Sequence, residues 1–137
     1  MDGSMEKIKI IRIIRKIGIF TGSRKFNVSS EDSDYDYVIS RKEFDKHLRK
    51  YIGNALIKWY NGSGSDEEYF DNYKIRNSGR SYDIIVPYNN EDYIAWVDAT
   101  ESTSCVSEKF LKNKPDRIRV FEMFRMLSIS IQNRRNK

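Results

Sequence analysis

Two carboxylates one residue apart, Asp34 and Asp36, open the apolar run Tyr37-Val38-Ile39, and ten residues separate Asp34 from a small-residue turn, Gly22-Ser23. Side chains of a strand alternate between its faces, so Asp34 and Asp36 share one face and Tyr35 takes the other. Like charges held that close repel, and the pair is costly unless a cation lies between them. A divalent metal is the natural occupant. A third acid, Asp83, begins the apolar run Ile84-Ile85-Val86. Asp is uncommon in strands, so Asp83 either faces solvent harmlessly or converges with the first pair. Asp98 in Trp96-Val97-Asp98 is the rival third acid, more simply read as a helix-surface group, and Glu31 and Asp32 read as solvent-facing.

These residues need elements to hold them. From Glu6 to Lys16 the apolar Ile10, Ile13, Ile14 and Ile17 recur at helical spacing, with Lys9, Arg12 and Lys16 on another face, which predicts an amphipathic helix packed on a core. Ile17 to Thr21 reads as a buried strand closed by Gly22-Ser23, Arg24 to Ser33 as a loop, and Tyr35 to Ser40 as a second strand. Arg41 to Asn54 follows as a helix carrying Phe44, Leu48, Tyr51 and Ile52 along one side. Asn61 to Asp66 reads as a surface loop. Tyr73–Arg76 and Tyr82–Tyr88 form a hairpin turned by Ser78-Gly79, with Pro87 ending the second strand or marking an edge. A helix is expected over Asn90–Thr100, capped by Asn89 or Asn90, then a Ser/Thr-rich patch around Cys105. A last helix runs from Pro115 to about Gln132, with Ile118, Phe121, Met123 or Phe124, Leu127 and Ile131 as its core stripe.

With 137 residues, the chain suits one domain with a core of its own. We read residues 5–137 as that domain, and Met1-Asp-Gly-Ser ahead of Met5 as a cloning remnant. No run approaches the ~20 apolar residues of a membrane span, and Lys9, Arg12, Arg15 and Lys16 break up the apolar N-terminal segment, so the expectation is a cytoplasmic protein. Cys105 is the only cysteine, which excludes an internal disulfide and a Cys-based zinc site and leaves it a buried or half-buried bystander. His47, the only histidine, reads as structural or exposed. The net charge of +5 is concentrated after Lys109, where an anionic partner is expected.

Gly22-Ser23, a ten-residue spacer, Ser33-Asp34-Tyr35-Asp36-Tyr37-Val38-Ile39 and a later lone Asp in an apolar strand together resemble the DNA polymerase β-like nucleotidyltransferase superfamily, above all its minimal and antibiotic-modifying members. The likeness is strong over residues 17–40 and extends through Tyr88, with Asn27 standing where the small members usually carry Gly. The resemblance implies an α+β fold, a small mixed sheet with helices packed on it. It implies that Gly22 and Ser23, with Arg24 and Lys25, bind the phosphates of a nucleoside triphosphate such as ATP. Asp34 and Asp36 would bind two Mg²⁺ ions, and Asp83 would complete the second site and orient the attacking hydroxyl. The products would be a nucleotidylated acceptor (a nucleic acid such as RNA, a protein or a small molecule) and pyrophosphate. Two other readings stay open on the same fold. One is a non-catalytic nucleotide- or nucleic-acid-binding module using the basic C-terminal region. The other is an interaction subunit of a two-chain system, contacting a protein partner through Trp59, Tyr60, Tyr69 and Phe70.

Overall fold

The two-residue turn Ser78-Gly79 decides the register of the longest strand pair. Both residues have positive φ, 52° and 77°, the conformation whose twist matches that of flanking antiparallel strands. β4 (Phe70–Asn77) and β5 (Arg80–Pro87) therefore pair from Asn77–Arg80 back to Phe70–Pro87. The computed structural model describes residues 3–26, 33–59, 69–110 and 113–135. β5 pairs in parallel with β2 (Tyr35–Val38), and β2 pairs antiparallel with β1 (Ile19–Thr21). β3 (Ile57–Lys58) adds to the outer side of β4, giving the order β1-β2-β5-β4-β3. The fold is α+β, a five-stranded mixed sheet with helices on it, as expected.

One face carries Tyr73, Ile75, Tyr82, Ile84 and Val86, buried against Ile10, Ile11 and Ile14 of α1 (Gly3–Ile17) and against Phe44 and Leu48. Ile13 and Ile17 pack at the margin of this cluster, so the helical stripe read from the sequence is core. α3 (Arg41–His47) starts at Ser40, whose hydroxyl accepts from the Glu43 N–H at 3.3 Å. The helix expected to reach Asn54 stops at His47. A 3₁₀ turn, Arg49–Tyr51, and Gly53 at φ 89° fold the chain back so that Tyr51, Ala55 and Leu56 are buried while Ile52 is exposed.

The opposite face is covered at one end by α4 (Asn90–Phe110) and α5 (Lys114–Arg135). The Thr21 and Thr100 hydroxyls meet at 2.8 Å between β1 and α4, and Phe70, Trp96 and Phe121 stack edge to face. Asn89 caps α4 by accepting the Asp92 N–H. The Ser/Thr-rich patch is not a break, because Thr100 returns its hydroxyl to the Trp96 carbonyl and Thr103 is buried, so α4 continues through it. Cys105 is exposed, not buried. The stripe expected on α5 is also wrong in part. Phe121 and Phe124 are half-buried, but Ile118, Met123, Leu127 and Ile131 are exposed, and the buried residue is Ser128, donating to Asp98 at 2.7 Å. Tyr69 and Phe70 are half-buried and pack on Trp96 of their own chain; Tyr60 lies outside the described residues. Pro87 ends a strand that is interior to the sheet. No helix among the described residues is long and apolar enough to cross a membrane.

Candidate active site

The parallel pairing of β2 with β5 sets Asp36 beside Asp83, and the antiparallel pairing of β1 with β2 sets Thr21 on the other side of Asp36. Two residues up the same face of β2 is Asp34. The three acids singled out in the sequence thus converge on the face of the sheet that α4 meets at Thr21. Asp98, the rival, stands apart, accepting from Ser128. Glu31, Asp32, Asn27 and the expected loop at Asn61–Asp66 lie outside the described residues.

Gly22 follows Thr21 with φ 80°, and a Cβ there would collide with the Asp36 carboxylate. Only glycine permits both the left-handed turn and this approach. The segment read as a loop begins as a single helical turn, α2 (Gly22–Lys25), whose Phe26 N–H returns to the Gly22 carbonyl at 3.1 Å. Ser23 is half-buried beside the acids' strand. The Arg24 guanidinium donates twice to the Ser33 carbonyl, at 2.8 and 3.0 Å, and lies 4.0 Å over the Tyr35 ring. Arg24 therefore ties the start of the connecting segment to its end, delivering Asp34 to the site. Lys25 is exposed.

The sequence reading missed Lys74. Register places it directly across from Asp83, and its ammonium stands 3.7 Å from both Asp34 Oδ2 and Asp83 Oδ1, over the Trp59 ring at 4.4 Å. The signal was there: a two-residue turn at Ser78-Gly79 fixes Lys74 opposite Asp83 by counting. Lys114, at the head of α5, also acts on Asp36 through its charge.

Three carboxylates and one ammonium do not balance. Burial pushes Asp36 up to about 6, with the Asp34 charge adding to the rise and Asp83 and Lys74 opposing it. Burial pushes Asp83 further, to about 8; the hydrogen bond to Asp34 and repulsion from Asp34 and Asp36 follow, and Lys74 opposes. Asp83 Oδ1 is buried without a hydrogen-bond partner. An orphaned oxygen beside two further carboxylates suits a hard divalent cation, since such ions take oxygen ligands. Among the described residues no three acid, His or Cys side chains cage a metal as they stand. The cation that the acids share is Lys74, and a metal would enter by displacing it.

His47 pairs with Glu43 at 3.3 Å on the far helix and takes no part. No protein-family model matches the chain, and no curated protein sequence matches it. Among solved structures the chain is similar to the Cid1 poly(U) polymerase, at 14% identity and a TM-score of 0.42 over 79% of this chain. It spans 36% of the length of that protein.

Proposed function

We propose that the chain is a Mg²⁺-dependent nucleotidyltransferase that moves a nucleoside monophosphate from a nucleoside triphosphate to an acceptor hydroxyl. The observation that carries this reading is the convergence of Asp34, Asp36 and Asp83 against the Gly22 turn, with one buried carboxylate oxygen lacking a hydrogen-bond partner. Asp34 and Asp36 hold the cations, and Asp83 completes the second position. Bound Mg²⁺ supplies charge neutralisation at the triphosphate and lowers the pKa of the acceptor hydroxyl. The backbone N–H groups of the Gly22-Ser23 turn and the Ser23 hydroxyl receive the terminal phosphates, because backbone N–H dipoles favour an anion. The acceptor oxygen forms a bond to the α-phosphorus while the bridging bond to the β-phosphate breaks. Pyrophosphate leaves with that electron pair. The hydroxyl proton passes to the carboxylate cluster.

The test is label transfer from each α-labelled NTP, with Mg²⁺, to total RNA, protein extract or small-molecule acceptors, beside Asp34→Ala/Asp36→Ala. Loss of the ligands removes the electrostatic support for the transferring group, and we expect transfer to fall by at least ~10²-fold. Transfer that persists in the double variant overturns the mechanism. One observation favours a second reading, a nucleotide-binding module without chemistry: Lys74 already supplies a cation to Asp34 and Asp83. Nucleotide binding with no transfer under any of these conditions would select it.

A further inference from the structure

The end of the β4–β5 hairpin and the first turns of α1 enclose a cleft of about 470 Å³ that the carboxylate site does not use. Lys7, Arg76 and Arg80 line it, with Asn77, Ser78 and Ser81 between them and no carboxylate anywhere in the lining. Elsewhere the chain neutralises cations beside the sheet: Arg41 and Lys58 meet Asp71 at 2.9 and 3.0 Å, and Arg125 meets Glu122 at 3.0 Å. None of the three cleft cations pairs with a described carboxylate. Three positive charges converging on a concave polar surface without counter-charge form a site for a polyanion.

Where the cleft lies decides which polyanion. Arg76 pairs with Ser81, and two residues further along the same face Lys74 pairs with Asp83. At ~3.3 Å per strand residue the step from Arg76 to the acids is about 7 Å, and from Arg80 to Asp83 about 10 Å. A strand stacked as in a duplex advances ~3.4 Å per nucleotide along the axis and an extended single strand more, so phosphates held in the cleft lie within about three nucleotides of a terminal hydroxyl at Asp83. Arg80 and Asn77 lie on the α1 face and Arg76 and Ser81 on the carboxylate face, so the cleft wraps the hairpin end on both faces.

We propose that this cleft is the backbone-binding site for a single-stranded nucleic-acid acceptor whose 3′ hydroxyl is presented to Asp83, an inference that rests on the nucleotidyltransferase reading. Phosphate contacts of this kind position a strand without reading its bases. Lys7, Arg76 and Arg80 are positioning residues, not catalytic ones.

The test is fluorescence anisotropy of a labelled single-stranded RNA or DNA dodecamer with the full chain, in EDTA, across a salt series. Lys7→Gln/Arg76→Gln/Arg80→Gln is expected to weaken binding at least tenfold. It should also lower the slope of log affinity against log salt by about 2, since each phosphate contact on a single strand contributes ~0.7. Arg76→Lys/Arg80→Lys, which keeps the charge, should bind as the parent does. Asp34→Ala/Asp36→Ala should bind the strand and fail to extend it. Unchanged binding by the triple variant overturns the proposal. So does competition by free ATP at equal phosphate concentration, or residue-dependent binding confined to phosphatidylcholine–phosphatidylserine vesicles. Strand binding through the cleft with no transfer by the parent leaves the cleft standing and overturns the enzyme reading. Transfer to small acceptors with no strand binding does the reverse.

Discussion

Replacing Asp83 by Asn should stabilise the metal-free chain, and by an amount that grows with pH. Asp83 is pushed up from 3.8 to about 8 by burial and by its carboxylate neighbours. Between those values the folded chain keeps a proton that the unfolded chain has released, so the unfolded state binds fewer protons and stability falls as pH rises from about 4 to about 8. At about 1.4 kcal/mol per pH unit the rise sets a ceiling of about 6 kcal/mol above pH 8. Lys74, 3.7 Å away, and relaxation around the carboxylates reduce it; we expect a gain of about 2 kcal/mol for Asp83→Asn at pH 8.5 and none at pH 4. The assay is urea unfolding in EDTA at pH 4, 6, 7 and 8.5, comparing the difference between variant and parent at each pH. Millimolar Mg²⁺ should shrink that difference by stabilising the parent alone, because a ligand that binds only the folded state adds to its stability. A difference that does not change with pH, or a variant less stable than the parent at pH 8.5, would refute the reasoning.

Gly22→Ala combines a left-handed φ of 80° with a collision at Asp36, and should cost about 1–3 kcal/mol of thermal stability and abolish label transfer; a variant with parental melting and activity would show that the turn is not a phosphate cradle. Thr100→Val leaves the Thr21 hydroxyl buried without its 2.8 Å partner, and should cost about 1–2 kcal/mol in urea unfolding, while leaving the pH dependence of Asp83 unaltered.

Legibility followed the range of the interaction that decides each feature. Asp34 and Asp36 were readable as a pair because strand alternation is local, and the hairpin because Ser78-Gly79 is a local turn signal. Asp83 was left open, since its placement depends on the parallel pairing with β2, a contact between distant segments that no local pattern encodes. Errors arose where tertiary packing overrode composition. Ser128 sits at the α4–α5 contact because Asp98 satisfies its hydroxyl, so a stripe counted from hydrophobic residues alone selected the wrong face of α5. Thr100 and Thr103 look like a loop and lie in a helix: the Thr100 hydroxyl is bonded to the preceding turn and no longer competes with it, and Thr103 is buried. The contact of Arg24 with the Ser33 carbonyl was not legible, because it is reached only once the chain has folded back.

Lys74 links the stability of the fold to its chemistry. Without it three carboxylates would share one face of the sheet with no described ammonium within 4 Å of Asp34 or Asp83; with it, any metal must compete against a cation already in place. The two roles separate in Lys74→Gln. Removing the ammonium should destabilise the metal-free chain at pH 8 by about 1–3 kcal/mol, because it leaves buried carboxylates uncompensated. The same change should raise the stabilisation gained on adding Mg²⁺, because the competitor is gone. A purely structural salt-bridging role predicts the first effect without the second. If Mg²⁺ stabilises Lys74→Gln no more than it does the parent, the acids are held for Lys74 itself and not for a metal.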